Sequence, residues 1–137
     1  MTEFMEQRAV ISPEALIRSF FDLECRSVLE YWRDGRIRLV VTRGLLKRYL
    51  TLLANMGVGQ DLLRRWIGWF TSPEKAVYLP DPDSKGGSDA ELCLEAARLG
   101  QARWIVPGDK TGREGKGRKI RWVTPSGFQA DADATRQ

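Results

Sequence analysis

The chain has no histidine. That removes Ser-His and Cys-His nucleophilic catalysis, and any imidazole-ligated metal, from these 137 residues. Cysteine is scarce: Cys25 and Cys93 stand alone inside helical patterns and make no zinc spacing. They read as reduced core residues of a cytoplasmic protein. No apolar run approaches the roughly 18 residues that cross a bilayer, so no membrane association is expected. The start of the chain carries Thr2, Glu3 and Glu6 in place of a basic stretch and an apolar run, which argues against a secretion signal. Internal repeats and long linkers are also lacking, and the length suits one ordinary domain. Residues 1–129 read as that domain, and the polar, small-residue stretch 130–137 as a frayed tail.

What is present begins with charge. The net charge is +4, which fits a nucleic-acid partner without demanding one. Part of the excess is concentrated: Lys110, Arg113, Lys116, Arg118, Lys119 and Arg121 face a single acid, Glu114, and Gly112, Gly115 and Gly117 loosen the segment. It reads either as a solvated loop or as a loop that contacts phosphates.

Hydrophobic periodicity organises the rest. Residues 9–11 (Ala-Val-Ile) form a short apolar run typical of a buried strand. Ser12-Pro13-Glu14 is a helix-start signal, with serine as N-cap and proline at the first helical position, leading into a short helix over 15–21. Residues 23–34 are amphipathic, with Cys25, Val28, Leu29 and Trp32 at helical spacing. A second strand is expected over 37–41. Helices follow over 44–56 and 60–70, then a strand over 76–79 and a loop over 80–87. Ser88-Asp89-Ala90-Glu91 has the capping-box pattern and opens a helix over 88–99 that Gly100 ends. Strands over 103–106 and 120–123 and a short helix from Thr124-Pro125 to Phe128 complete the order. Alternating strands and helices predict an α/β protein of three α/β/α layers, with a mostly parallel sheet of four to five strands. Such sheets bind ligands beyond the carboxyl ends of their strands. Those positions hold Ser12 and Glu14, Thr42 and Arg43 with Arg48 a turn later, then Asp81, Asp83 and Asp89, and finally Asp109. Carboxylates gathered at one edge are the ligand type that magnesium takes, and paired ions would activate a water against a phosphodiester.

Three segments, in this order and spacing, resemble the bacterial PIN-domain family, in particular its toxin components of toxin–antitoxin pairs. They are residues 28–41 (Val-Leu-Glu-Tyr-Trp-Arg-Asp-Gly-Arg-Ile-Arg-Leu-Val-Val) with the helix through Tyr49, residues 102–110 (Ala-Arg-Trp-Ile-Val-Pro-Gly-Asp-Lys), and residues 120–128 (Ile-Arg-Trp-Val-Thr-Pro-Ser-Gly-Phe). The resemblance spans about Arg8 to Phe128 and implies RNA cleavage with magnesium or manganese held by about four acids. Position by position, two of those acids are replaced. Ser12 stands at the first, with Glu14 two residues on as a substitute, and Arg48 stands at the second, before Tyr49. Asp89 or Glu91 matches the third, and Asp109, in Pro107-Gly108-Asp109, keeps the fourth.

Each residue also has a structural reading. Ser12 suits an N-cap, Asp89 suits the first turn of a helix, Asp109 suits a turn after a strand, and Arg48 suits a solvated helix face. The tryptophans at 32, 66, 69, 104 and 122 read as core or interface residues, since none lies in a basic aromatic ladder. Two remaining carboxylates, Asp89 and Asp109, would hold magnesium only with help from substrate phosphates. The expectation drawn from this count is that the Arg48 guanidinium takes the metal position and pairs with Asp109 or Asp89. The leading reading is thus a PIN-like protein with a degenerate, metal-free site. It would be non-catalytic or weakly active, and able to bind RNA or an antitoxin protein. Lys110, Arg113, Lys116, Arg118 and Lys119 would then contact the nucleic acid. A second reading is an active magnesium- or manganese-dependent ribonuclease using Glu14, Asp89 or Glu91, and Asp109. A third is an interaction module, for instance a homodimer built around Trp66 and Trp69.

Overall fold

The computed structural model describes residues 7–80, 88–107, 121–123 and 128. Strands and helices alternate as β1 (Arg8–Ile11), α1 (Pro13–Arg18), α2 (Leu23–Arg33), β2 (Arg38–Thr42), α3 (Arg43–Asn55), α4 (Gln60–Thr71), β3 (Ala76–Leu79), α5 (Asp89–Leu99), β4 (Trp104–Val106) and β5 (Arg121–Trp122). The five strands form one sheet in the order β3-β2-β1-β4-β5, and every neighbouring pair is parallel. Val10, Ile11, Leu39, Val40, Val41, Ile105 and Val106 are fully buried. A strand without an exposed side needs cover on both faces, and the helices supply it, giving an α/β fold in three layers.

Local chemistry sets the helix starts. Ser12 caps α1, its Oγ accepting from Ala15 N at 3.0 Å with Pro13 at the first position. Asp22 caps α2, Thr42 caps α3 and Ser88 caps α5, each by a side-chain oxygen on a backbone N–H. The expected capping box of α5 takes a modified form. Ser88 Oγ accepts from Glu91 N at 3.2 Å and also donates to Glu91 Oε1 at 3.3 Å, so the glutamate meets the hydroxyl and not the Ser88 backbone. Helix α1 is shorter than the periodicity suggests. The Ser19 hydroxyl donates back to the Leu16 carbonyl, residues 19–21 turn, and Asp22 restarts the chain as α2. The expected helix at 124–128 lies outside the described residues apart from Phe128, which is fully buried and meets Trp104 and Tyr31 edge-on.

Gly35 (φ 78°) and Gly57 (φ 89°) end α2 and α3 in the left-handed conformation that glycine adopts without strain. Gly100 ends α5 for another reason. Its φ is −94°, the left-handed residue is Gln101, and a Cβ at position 100 would collide with Val40 Cγ1. Glycine here lets the end of α5 settle against β2, and Arg8 Nη1 donates to its carbonyl at 2.9 Å. No helix among the described residues is long and apolar enough to cross a membrane.

Candidate functional site

Strand order decides where to look. From β1 the chain moves outward to β2 and β3, then crosses back to β4 on the other side. The order therefore reverses between β1 and β4, and in open parallel sheets ligands collect at that point beyond the carboxyl ends. Ile11 and Val106 are register partners there, and the ladder runs one step further through Ser12 N to Val106 O at 2.9 Å.

Ser12 itself is committed to structure. It is 7% exposed, its N–H serves β4, its Oγ caps Ala15 and its carbonyl accepts from Leu16 N. Glu14 is exposed on α1, where its carboxylate pairs with Arg18 at 3.5 Å one turn along the same helix. Thr42, at the end of β2, is buried with its hydroxyl oxygen accepting from Leu45 N at 3.2 Å.

Arg48 and Asp89 meet. Arg48 projects from the second turn of α3, Asp89 opens α5, and Nε lies 3.0 Å from Oδ1. This is one of the two pairings expected for Arg48; Asp109 lies outside the described residues. The contact uses one nitrogen, and the side chains are 46% and 37% exposed, so it contributes at most about 1 kcal/mol to folding. Its effect on ligand charge is larger. A cation near Asp89 also meets a fixed guanidinium charge. At about 4 Å the repulsion between unit charges runs from about 1 kcal/mol in water to about 4 kcal/mol near a protein surface, and a divalent ion doubles it. That is the size of the attraction Asp89 offers, so the pair is close to neutral toward a metal.

Glu91 is occupied by Ser88. Among the described residues no three of the acids and cysteines converge to hold a metal ion. Each of the candidate acids among the described residues already has a partner: Asp89 pairs with Arg48, Glu14 with Arg18, and Glu91 with the Ser88 cap. Asp81, Asp83, Asp109 and the cations Lys110, Arg113, Lys116, Arg118 and Lys119 fall outside the described residues.

Sequence reasoning missed what stands behind Arg48. Tyr49, fully buried, donates its hydroxyl to the Ile11 carbonyl at the very end of β1. Burial pushes its phenol well above the ordinary value, with Cys93 and Asp89 adding to the shift, so it acts as a neutral donor. The available signal was a tyrosine inside an apolar stripe, whose buried hydroxyl must find an acceptor. No protein-family model matches this chain, and no curated protein is significantly similar to it.

Proposed function

We propose that the chain is a PIN-like protein in which an ion pair has replaced the metal centre, so that it engages RNA without hydrolysing it. The observation that carries this reading is the 3.0 Å contact between Arg48 Nε and Asp89 Oδ1 at the carboxyl edge of the parallel sheet. A guanidinium brings its own permanent charge and hydrogen-bond donors, so the carboxylate is satisfied without a metal ion. Ser12, at the position where the resemblance places another acid, offers only a hydroxyl already used as a cap. The RNA part of the reading rests on residues 110–121, where six cations stand against one acid, Glu114.

Manganese titration followed by calorimetry, together with cleavage of a generic single-stranded RNA, tests the proposal. The native chain should show no saturable binding below roughly millimolar metal. It should leave the RNA intact, and it should bind RNA with an affinity that falls steeply with salt. Arg48→Glu should gain manganese affinity. Tight binding by the native chain, or metal-dependent cleavage abolished by Asp109→Asn, would sink the proposal.

A further inference from the structure

A groove of about 400 Å³ opens on the other side of the molecule, between the end of α1, helix α2, helix α4 and the turn before β3. Lys75 immediately precedes β3 and accepts the indole N–H of Trp32 on its carbonyl at 2.7 Å, which sets the groove at the amino ends of the strands, away from Arg48 and Asp89. Its size is within the range of small-molecule sites. Phe20, Leu29, Trp32, Trp66 and Trp69 form its apolar walls. Trp69 stands edge-on to Trp66 (5.2 Å, 75°) and to Trp32 (6.4 Å, 85°), and 41% of its surface remains open.

The rim is cationic. Arg26, Arg33 and Lys75 line it against one acid, Glu30. Arg26 donates through Nε and Nη2 to the Ser19 and Phe20 carbonyls, both at 3.2 Å, and Lys75 Nζ donates to the Arg33 carbonyl at 3.0 Å. Neither has a carboxylate partner among the described residues. Arg33 has only long contacts, 4.0 Å to Glu30 and 3.8 Å to Asp34. A guanidinium has five N–H donors and an ammonium three, so hydrogen-bonding capacity remains after the carbonyls are served.

We propose that this groove binds a flat aromatic anion, specifically a nucleobase carrying a phosphate. A neutral apolar molecule would leave the cations unused, and a bare anion would leave the rings wet. A base stacked against Trp69 with its phosphate toward Lys75 and Arg26 satisfies both. This inference is independent of the reading of the cleft, because it uses none of the same residues.

The test is a titration of the full chain with adenosine monophosphate at low salt without metal, read by tryptophan fluorescence excited at the red edge. Adenosine and inorganic phosphate serve as separate arms. Saturable binding by the monophosphate below ~1 mM is expected, roughly tenfold tighter than either part. Trp69→Ala and, separately, Lys75→Glu should each weaken it about tenfold while circular dichroism stays native. Arg48→Glu should leave it unchanged. A short oligoadenylate distinguishes the sources: tighter binding than the monophosphate assigns the groove to a strand, equal or weaker binding to a free nucleotide. Failure of the monophosphate to saturate, equal binding by adenosine, or indifference to both groove variants would overturn the proposal.

Discussion

The two ends of the sheet solve opposite problems. At the carboxyl end polar groups are matched one to one: Ser12 with Ala15, Thr42 with Leu45, Tyr49 with Ile11, and Arg48 with Asp89. At the amino end the rings of Trp32, Trp66 and Phe70 stack on one another, Trp69 is left partly open, Arg26 and Lys75 donate to carbonyls, and Arg33 meets its acids at 3.8–4.0 Å. Among the described residues, the polar groups at the edge where a parallel sheet ordinarily receives its ligand have partners, and the edge that ordinarily serves stability retains space.

Several substitutions can break that contrast. Phe70→Ala should have the largest effect. Phe70 is fully buried between Trp32, Trp66 and Tyr49, and its removal should cost about 3–5 kcal/mol in urea denaturation. Should the loss fall below about 1 kcal/mol, the aromatic stack would not be the anchor of the amino end. Tyr49→Phe comes next, on the carboxyl side. It strands the Ile11 carbonyl without its hydroxyl donor, and a loss of about 1–3 kcal/mol is expected by the same measurement.

Alkaline pH probes the core beneath Asp89. Cys93, one helical turn further along α5, is pushed from its ordinary 9.0 to about 12, mainly by burial and then by Asp89. Below pH 9 the thiol is protonated in both states and has no effect on stability. As pH rises beyond 9 the unfolded chain gives up a proton that the folded chain keeps, so stability falls, by up to about 1.4 kcal/mol per pH unit, until about pH 12. Cys93→Ala should flatten that slope between pH 9 and 10.5; an unchanged slope would assign it to other groups. The smallest effect on stability belongs to Arg48→Ala. The pair is half-exposed, so thermal melting should shift by less than about 1 kcal/mol equivalent, while any change in manganese affinity should be upward.

Most of the architecture was legible in the chain. The alternation of apolar runs and amphipathic stretches placed each described strand and helix within a few residues, because burial on both faces makes residues 9–11 and 39–41 unbroken apolar runs. Caps at Ser12 and Ser88 were readable from local spacing alone. The pairing of Arg48 with Asp89 was legible only as one of two choices, since the residues are 41 positions apart and only the packing of α3 beside α5 joins them. The cationic groove was not legible at all. Arg26 and Arg33 lie two turns apart on α2 while Lys75 and Trp69 come from far along the chain, so no local spacing shows the groove. Gly100 was read as a helix stop and does cap α5, but what requires glycine there is the want of space over Val40.

That last contact reaches further than its neighbourhood. Helix α5 is a stiff rod about 16 Å long, seated at its far end on Val40 and carrying Asp89 at its near end. A methyl group at position 100 would have to tilt the rod or displace Val40, and a tilt pivoting there swings the carboxylate through the widest arc. Gly100→Ala would in that case loosen Arg48 from Asp89 without touching either, which makes a residue with no side chain the fulcrum on which the charge balance of the distant cleft turns.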